Sequence, residues 1–247
     1  MKKFAIALLV IGVIGYGAFA ILYPTTRLHA RITIDVETPE GLKTGSSVQE
    51  IVFSVEPCPL CNTSGPKFRR HVRGEAVAVD LGPRGTLFAL MVGGKEHPAP
   101  DPVTPIIVEM VFGPKQDKNW RGVEAVRALG RATGKADVPA ELMPFMVRFR
   151  DISDPKSVER VDPASLAASF GDGVKLANAT IEIVSSGWWP LNVFGITGTP
   201  LTTGIEKRLV WIPNFYGRLL DGDTVHRAGA QNRLANSLGS GSFKIPR

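Results

Sequence analysis

Cys58 and Cys61 lie in a Cys-Pro-Leu-Cys segment and are the only cysteines in the chain. Three kinds of chemistry suit this spacing: a redox-active pair, half of a zinc site, or a short structural disulfide. A redox-active thiolate needs a helix N-terminus, but the Asn-Thr-Ser-Gly-Pro that follows Cys61 disfavours a helix. Zinc would need His71 and a fourth ligand from His29, His97 or a carboxylate. We therefore favour a structural disulfide between Cys58 and Cys61, formed in an oxidising compartment.

The rest of the sequence contains no catalytic or cofactor motif. The Gly-Lys pairs at Gly94 and Gly134 lack the earlier glycine and the following Ser or Thr of a phosphate-binding loop. His71 lies among basic residues and resembles part of a solvated loop, while Asp221 and Asp223 lie in a Leu-Asp-Gly-Asp-Thr segment typical of a turn. We expect no catalytic residue, no metal and no cofactor.

Two groups of side chains are candidates for a partner surface. Trp188 and Trp189 lie in a Gly-Trp-Trp-Pro turn, and aromatic side chains of this size either fill a core or present a face to a partner. Arg227 and Arg233 lie in a C-terminal stretch that has no acidic residue after Asp223. This stretch is either a solvated tail or a contact for lipid headgroups or an acidic partner.

The N-terminal segment determines the cellular compartment in which these groups lie. The nineteen residues from Phe4 to Leu22 carry no charge, and a helix of that length is roughly 29 Å long, close to the thickness of a bilayer core. Two lysines precede the segment, and Tyr23-Pro24 follows it, as expected at a membrane boundary. Ala18-Phe19-Ala20 also suits signal-peptide cleavage, but the apolar run is longer than such peptides usually have. We predict a retained anchor, with a cleaved signal sequence and secretion to the periplasm as the alternative.

The net charge of +6 belongs to the two ends of the chain. Residues 205–247 carry seven basic and three acidic side chains, whereas residues 4–204 are neutral. We expect no nucleic-acid partner. A short N-terminal tail before a large domain is the usual signal-anchor arrangement, so we expect a single-pass protein of the bacterial inner membrane with a periplasmic C-terminal domain. The expected partners are the membrane, through residues 4–23, and an envelope protein or anionic surface.

Most of the remaining chain has the period of half-buried strands. Apolar and polar residues alternate from Arg31 to Glu37, and again at 51–56 and 76–81. A Gly-Pro-Arg-Gly turn at 82–85 follows, and the apolar segment 86–92 is expected to return as a paired strand, which predicts a hairpin. These patterns predict a mostly β fold, an antiparallel sandwich or barrel-like domain with one or two short helices, after an N-terminal transmembrane helix. Further strands are expected at 105–112, 144–150 and 174–184, and helices at 117–133 and 162–168.

The same patterns divide the chain into segments. We expect a cytoplasmic tail at 1–3, a transmembrane anchor or signal sequence at 4–23, a linker at 24–30, a mostly β domain at 31–236 and a flexible basic tail at 237–247.

Three stretches together carry a resemblance. They are RITIDVETPEGLKTGSSV from Arg31, RGEAVAVDLGPRGTLFAL from Arg73 and TGIEKRLVWIP from Thr203. The chain resembles uncharacterised bacterial proteins that have one N-terminal membrane segment. The resemblance implies one domain after the anchor and adds no catalytic residue.

We expect a non-enzymatic binding or scaffold module of the envelope. The alternative is a periplasmic enzyme, or a thiol-redox or metal protein, that uses Cys58 and Cys61 or an unrecognised histidine.

The cysteine pair allows a direct test. Labelling of non-reduced protein should find no reactive thiol, and serine at both positions should leave a folded protein. Stability should fall only slightly, because closing a short loop removes little chain entropy. Two fast-reacting thiols, or one zinc ion per chain, would contradict the disulfide.

Overall fold

The computed structural model describes residues 2–57, 67–114, 122–188, 190–192 and 196–246, with side chains from residue 10 onward. Cys58, Cys61 and Trp189 lie outside these residues. Helix α1 begins at Lys2 and ends at Leu22, so the apolar N-terminal segment is helical. Within the part of the chain whose side chains are described, no helix is both long and apolar enough to cross a membrane.

Two antiparallel sheets dominate the structure, which confirms the prediction of a mostly β fold. The described strands are β1 (Thr25–Thr38), β2 (Gly41–Glu56), β3 (Lys67–Glu75), β4 (Val77–Asp80), β5 (Thr86–Gly93), β6 (Gly134–Asp137), β7 (Pro144–Phe149), β8 (Val158–Val161), β9 (Lys175–Val184) and β10 (Lys244–Ile245). The large sheet has the order β10-β3-β2-β1-β9-β6, and the small sheet has the order β4-β5-β7-β8. The predicted hairpin is the β4–β5 pair.

The described helices after α1 are short and number more than expected: α2 (Val103–Phe112), α3 (Val123–Leu129), α4 (Ala167–Phe170) and α5 (Ile205–Arg208). The predicted strand at 105–112 is wrong, because this segment is α2. A short apolar run does not by itself distinguish a buried strand from a buried helix. Pro105 lies in the first helical turn, where its missing N–H disturbs no intrahelical hydrogen bond.

The two predicted helices are confirmed only in part. Helix α3 lies inside the predicted 117–133, of which residues 117–121 are not described, and it buries Val126 and Leu129 as the apolar periodicity predicts. The helix expected to begin at Asp162 begins instead at Ala167. The Asp162 carboxylate accepts a hydrogen bond from the Ala164 N–H, so this residue caps a turn rather than the helix.

The expected linker at 24–30 is the beginning of β1, which starts at Thr25. Leu28 and Ala30 are buried and continue the alternation that is evident from Arg31 onward. Strand β1 pairs with β2 from Thr25 to Thr38, the longest ladder in the molecule. The domain therefore begins directly after α1.

The main core lies between the inner faces of the two sheets. Ile32 and Ile34 of β1, Phe53 of β2 and Leu87 of β5 contribute to it, and all four are essentially inaccessible. The sheets approach closely at Gly45 of β2, where any Cβ would collide with the carbonyl of a β4 residue. Glycine is required at this point because the β4 backbone occupies the space that a side chain would need.

The outer face of the small sheet is covered by the C-terminal segment. Along β5, Leu87 faces the main core, while Phe88 and Leu90 face a second apolar cluster with Trp211 and Phe243. Both faces of β5 are thus buried, which explains its nearly continuous apolar sequence.

Within the expected flexible tail at 237–247, the described residues pack against the domain instead. Phe243 is fully buried, its carbonyl accepts a hydrogen bond from the Ala76 N–H at 2.7 Å, and Lys244 and Ile245 form β10 against β3. The apolar side chains of Phe243 and Ile245 offset the entropy lost by ordering the Gly-Ser-Gly-Ser that precedes them.

Phe243 therefore provides a test of this packing. Its ring contacts those of Phe88, Phe149 and Trp211. Phe243→Ala should lower the free energy of unfolding by about 3–5 kcal/mol in urea titrations, because it creates a cavity between the small sheet and the C-terminal segment. Val225→Ala, at a side chain 60% exposed, should change it by less than about 0.5 kcal/mol. Equal effects of the two substitutions would contradict the packing.

Candidate functional site

A row of charged side chains crosses the outer face of the large sheet. His29 of β1 pairs with Glu50 of β2, and Glu50 pairs with Arg73 of β3. Arg73 Nη2 lies 2.7 Å from Glu50 Oε1, and His29 Nε2 lies 3.7 Å from Glu50 Oε2. The Glu50 side chain is only 10% exposed, so solvent screens its charge weakly. Strand register brings together three residues that are far apart in the sequence.

The backbone carbonyl of Thr199 fixes the ring of His29. His29 Nδ1 lies 2.8 Å from this oxygen, and Nδ1 must be the donor because a carbonyl only accepts. The other ring nitrogen, Nε2, faces Glu50. Neither contact is to a hydroxyl or thiol that could act as a nucleophile.

A second carboxylate, Glu75, lies beside this row and is 2% exposed. Its Oε2 accepts a hydrogen bond from the Ile205 N–H at 2.8 Å, and its Oε1 lies 3.3 Å from Lys244 Nζ. Its backbone carbonyl accepts hydrogen bonds from Ser47 Oγ at 2.6 Å and Gln49 Nε2 at 3.0 Å. Glu75 thus connects β3 to α5 and to its sheet neighbour β10.

Lys244 is shared between Glu75 and Glu206. Lys244 Nζ lies 2.9 Å from Glu206 Oε2, and Tyr216 donates its hydroxyl proton to Glu206 Oε1 at 2.7 Å. Burial alone would lower the pKa of Lys244, but the hydrogen bonds to Glu206 and Glu75 outweigh it and raise this pKa. The hydrogen bonds from Lys244 and then Tyr216 lower the pKa of Glu206, and the bond to Glu206 raises the pKa of Tyr216.

A pocket of about 490 Å³, a size typical of small-molecule sites, is lined by His29, Glu50, Arg73, Glu75 and Lys244. Its other wall is the segment 197–203, which crosses the outer face of the sheet. The hydroxyl of Thr202 accepts a hydrogen bond from the Val48 N–H at 2.8 Å and fastens this segment to β2. The pocket is also lined by Arg27, which adds a guanidinium, and by Ser186, Asn192, Thr197 and Thr203, which add amide and hydroxyl groups.

Arg27 differs from the other cations that line the pocket. It lies two residues before His29, on the same face of β1, and its side chain is exposed. Arg73 and Lys244 pair with carboxylates, but no described carboxylate lies within ion-pair distance of Arg27. Arg27 is therefore the cation in the pocket that is available to an anionic ligand.

The sequence-predicted partner residues occupy different parts of the molecule. Trp188 follows β9 of the large sheet and is 63% exposed, whereas Arg227 and Arg233 lie on the surface of the C-terminal segment that covers the small sheet. Arg227 forms an ion pair with Asp223 at 3.1 Å. His71 lies on strand β3 rather than in a loop.

No group of three or more His, Cys, Asp or Glu residues within the described part of the chain could hold a metal ion. Comparison with protein families, curated proteins and solved structures finds no match to this chain.

Sequence reasoning missed the His29–Glu50–Arg73 row. The signal was available: extending the alternation of β1 back to Leu28 places His29 on the outer face.

The Lys244–Glu206 pair predicts a pH dependence of stability. Since the folded-state pKa of Glu206 is lowered, its ionised form stabilises the fold above the unfolded-state pKa, and this contribution is lost as pH falls through the folded-state pKa. Glu206→Gln should therefore lower the free energy of unfolding at pH 7 by about 1 kcal/mol or less, because the side chain is partly solvated, and the difference from the parent should shrink in acid.

Urea titrations at pH 7 and at pH values below the carboxylate range would measure this difference. Glu124→Gln, at a side chain 86% exposed, is the matched control and should show a smaller effect. If Glu206→Gln lowers the free energy of unfolding by the same amount at all pH values, the proposed role of the Lys244–Glu206 pair is wrong.

Proposed function

We propose that this chain is a membrane-anchored, non-enzymatic binding module of the bacterial cell envelope. In this proposal residues 4–23 anchor it in the inner membrane, residues 1–3 remain in the cytoplasm and the β domain lies in the periplasm. The observation that carries the proposal is the exposure of α1. The large apolar side chains from Val10 to Leu22 are 47–76% exposed, and they lie on all faces of the helix. A helix that is apolar all round suits a bilayer rather than water.

The end of α1 supports a membrane boundary at this position. The Tyr23 ring packs on Phe19 with centroids 4.9 Å apart, and a tyrosine is favoured at the headgroup layer. Arg127 donates a hydrogen bond from Nη2 to the Ile21 carbonyl at 2.9 Å, so a cation satisfies a free carbonyl at the helix C-terminus. Since β1 begins at Thr25, the domain would lie directly on the membrane surface.

The charged pocket supports the binding role. Glu50, Glu75 and Lys244 each have a partner of opposite charge, which favours a rigid recognition surface over a group poised to react. Arg27 and the neighbouring hydroxyl and amide groups favour a partner that carries an anionic group, on an envelope protein or an envelope polymer.

One observation favours a second candidate function. The ring of His29 is oriented through Nδ1 by the Thr199 carbonyl, and its Nε2 lies at the pocket beside Glu50, a position that suits a general acid or base. A periplasmic enzyme would use His29 and Glu50 at this pocket. The substitution His29→Gln distinguishes the two functions. An enzyme would lose its turnover, whereas a binding module has no turnover before or after the substitution.

The anchor is tested by charge substitution within α1. Ile11→Arg combined with Ile14→Arg should release the protein from membranes at alkaline pH, because each charge at the centre of a membrane helix costs about 2.5–3.5 kcal/mol. The matched control is Val210→Arg combined with Val225→Arg, at positions 66% and 60% exposed in the domain, which should stay in the membrane pellet.

In the parent, a periplasm-dependent reporter fused after Arg247 should be active. Parent protein in the soluble fraction, or activity only from a cytoplasmic reporter, would contradict the proposal.

A further inference from the structure

We propose that Trp188, Ile196 and Arg27 form a surface that docks on the lipid bilayer beside α1. This inference rests on the proposed anchor and specifies which face of the β domain lies on the membrane. Trp188 and Ile196 are 63% and 67% exposed, although most large apolar side chains of the β domain pack in its two cores. They are neighbours, because the Trp188 N–H donates a hydrogen bond to the hydroxyl of Thr197 at 3.3 Å.

The backbone that carries these two side chains is held firmly at its base. The Thr199 N–H donates a hydrogen bond to the Ser185 carbonyl at 2.6 Å, next to the Thr199 carbonyl that binds His29. Gly187, at a φ of 73°, and Gly198 lie so close together that a Cβ on Gly187 would collide with the Thr197 backbone, and a Cβ on Gly198 would collide with the backbone of Gly187. Trp188 and Ile196 are therefore each attached to a backbone position that neighbouring contacts hold in place, which reduces the entropy lost when they bind.

Strand register places this surface at the α1 end of the large sheet. Strand β9 runs antiparallel to β1, and Val184, the last residue of β9, pairs with His29. Beyond Val184 the chain therefore continues in the direction of Thr25, where β1 leaves α1. Arg27 lines the pocket together with Ser186 and Thr197, which lie two residues before Trp188 and one residue after Ile196.

The bilayer is the occupant that these observations favour. Only Tyr23 and Pro24 separate the end of α1 from β1, so an anchored domain holds its α1 end at the membrane surface. Tryptophan is enriched at the membrane–water interface, and an arginine beside it suits anionic headgroups. Because α1 already tethers the domain, even weak docking is favoured by a high effective concentration of lipid.

Fluorescent labelling of the full-length protein in vesicles tests this inference. In a chain with serine at both cysteine positions, an environment-sensitive fluorophore is attached to Ile196→Cys and, as the matched control, to Val210→Cys, which is 66% exposed and lies in the C-terminal layer. The vesicles contain phosphatidylcholine with or without phosphatidylglycerol, and nitroxide groups on the lipids act as quenchers. We expect several-fold stronger quenching at 196 than at 210, with a further increase in anionic vesicles that Arg27→Ser removes.

A third label, at Phe19→Cys in α1, separates the two proposals. If Phe19 is quenched and 196 is quenched no more than 210, the docking surface is wrong and the anchor stands. If the Phe19 label escapes the lipid quenchers, the anchor is wrong and the docking surface falls with it. Protection of the 196 label from both lipid-borne and water-soluble quenchers would also overturn the inference, because a second copy or another part of the protein would then cover Ile196.

Discussion

The buried carboxylate of Glu75 is the interaction on which the arrangement of this molecule most depends. It lies where the chain leaves the large sheet, two residues before β4 of the small sheet begins. A buried charge is tolerated only when it is paired and hydrogen-bonded. Its partners here are the Lys244 ammonium and the Ile205 N–H, which belong to β10 and to the start of α5. A single desolvated group therefore joins β3 to both β10 and α5, and removal of the Lys244 ammonium would leave a buried charge uncompensated.

The outer face of the large sheet, beside Glu75 and Lys244, is partly covered by another segment of the chain. A sheet with one covered face normally presents its other face to water, with alternating polar residues. Here the segment 197–203 crosses that polar face, and the hydrogen bonds to Thr199 and Thr202 hold it there. The charged row and the crossing segment enclose a pocket, so the candidate site is a product of topology rather than of a local motif.

The elements that could be predicted from the sequence are those with strict alternation or clear turn residues. The β4–β5 hairpin follows from the alternation of β4 and the Gly-Pro-Arg-Gly turn, and the inner face of β1 follows from its own alternation. Helix α2 could not be distinguished from a strand, because residues buried on several sides of a helix leave no simple period. The docking of Phe243 was missed because Gly-Ser-Gly-Ser indicates flexibility, whereas the decisive contacts are with Phe88 and Trp211, which are distant in sequence. The pocket was missed for the same reason, since register and long-range crossing determine it.

The order of the elements along the chain has a consequence for biosynthesis. Strand β3 has one edge paired with β2, and its other edge receives β10 only when Lys244 and Ile245 are available. The apolar outer face of β5 is likewise covered by residues from 205 onward. A nascent chain whose residues from 205 onward have not yet left the ribosome therefore exposes an open strand edge and an apolar sheet face at the same time. Until Lys244 and Ile245 have emerged, the strands made earlier depend on protection from aggregation.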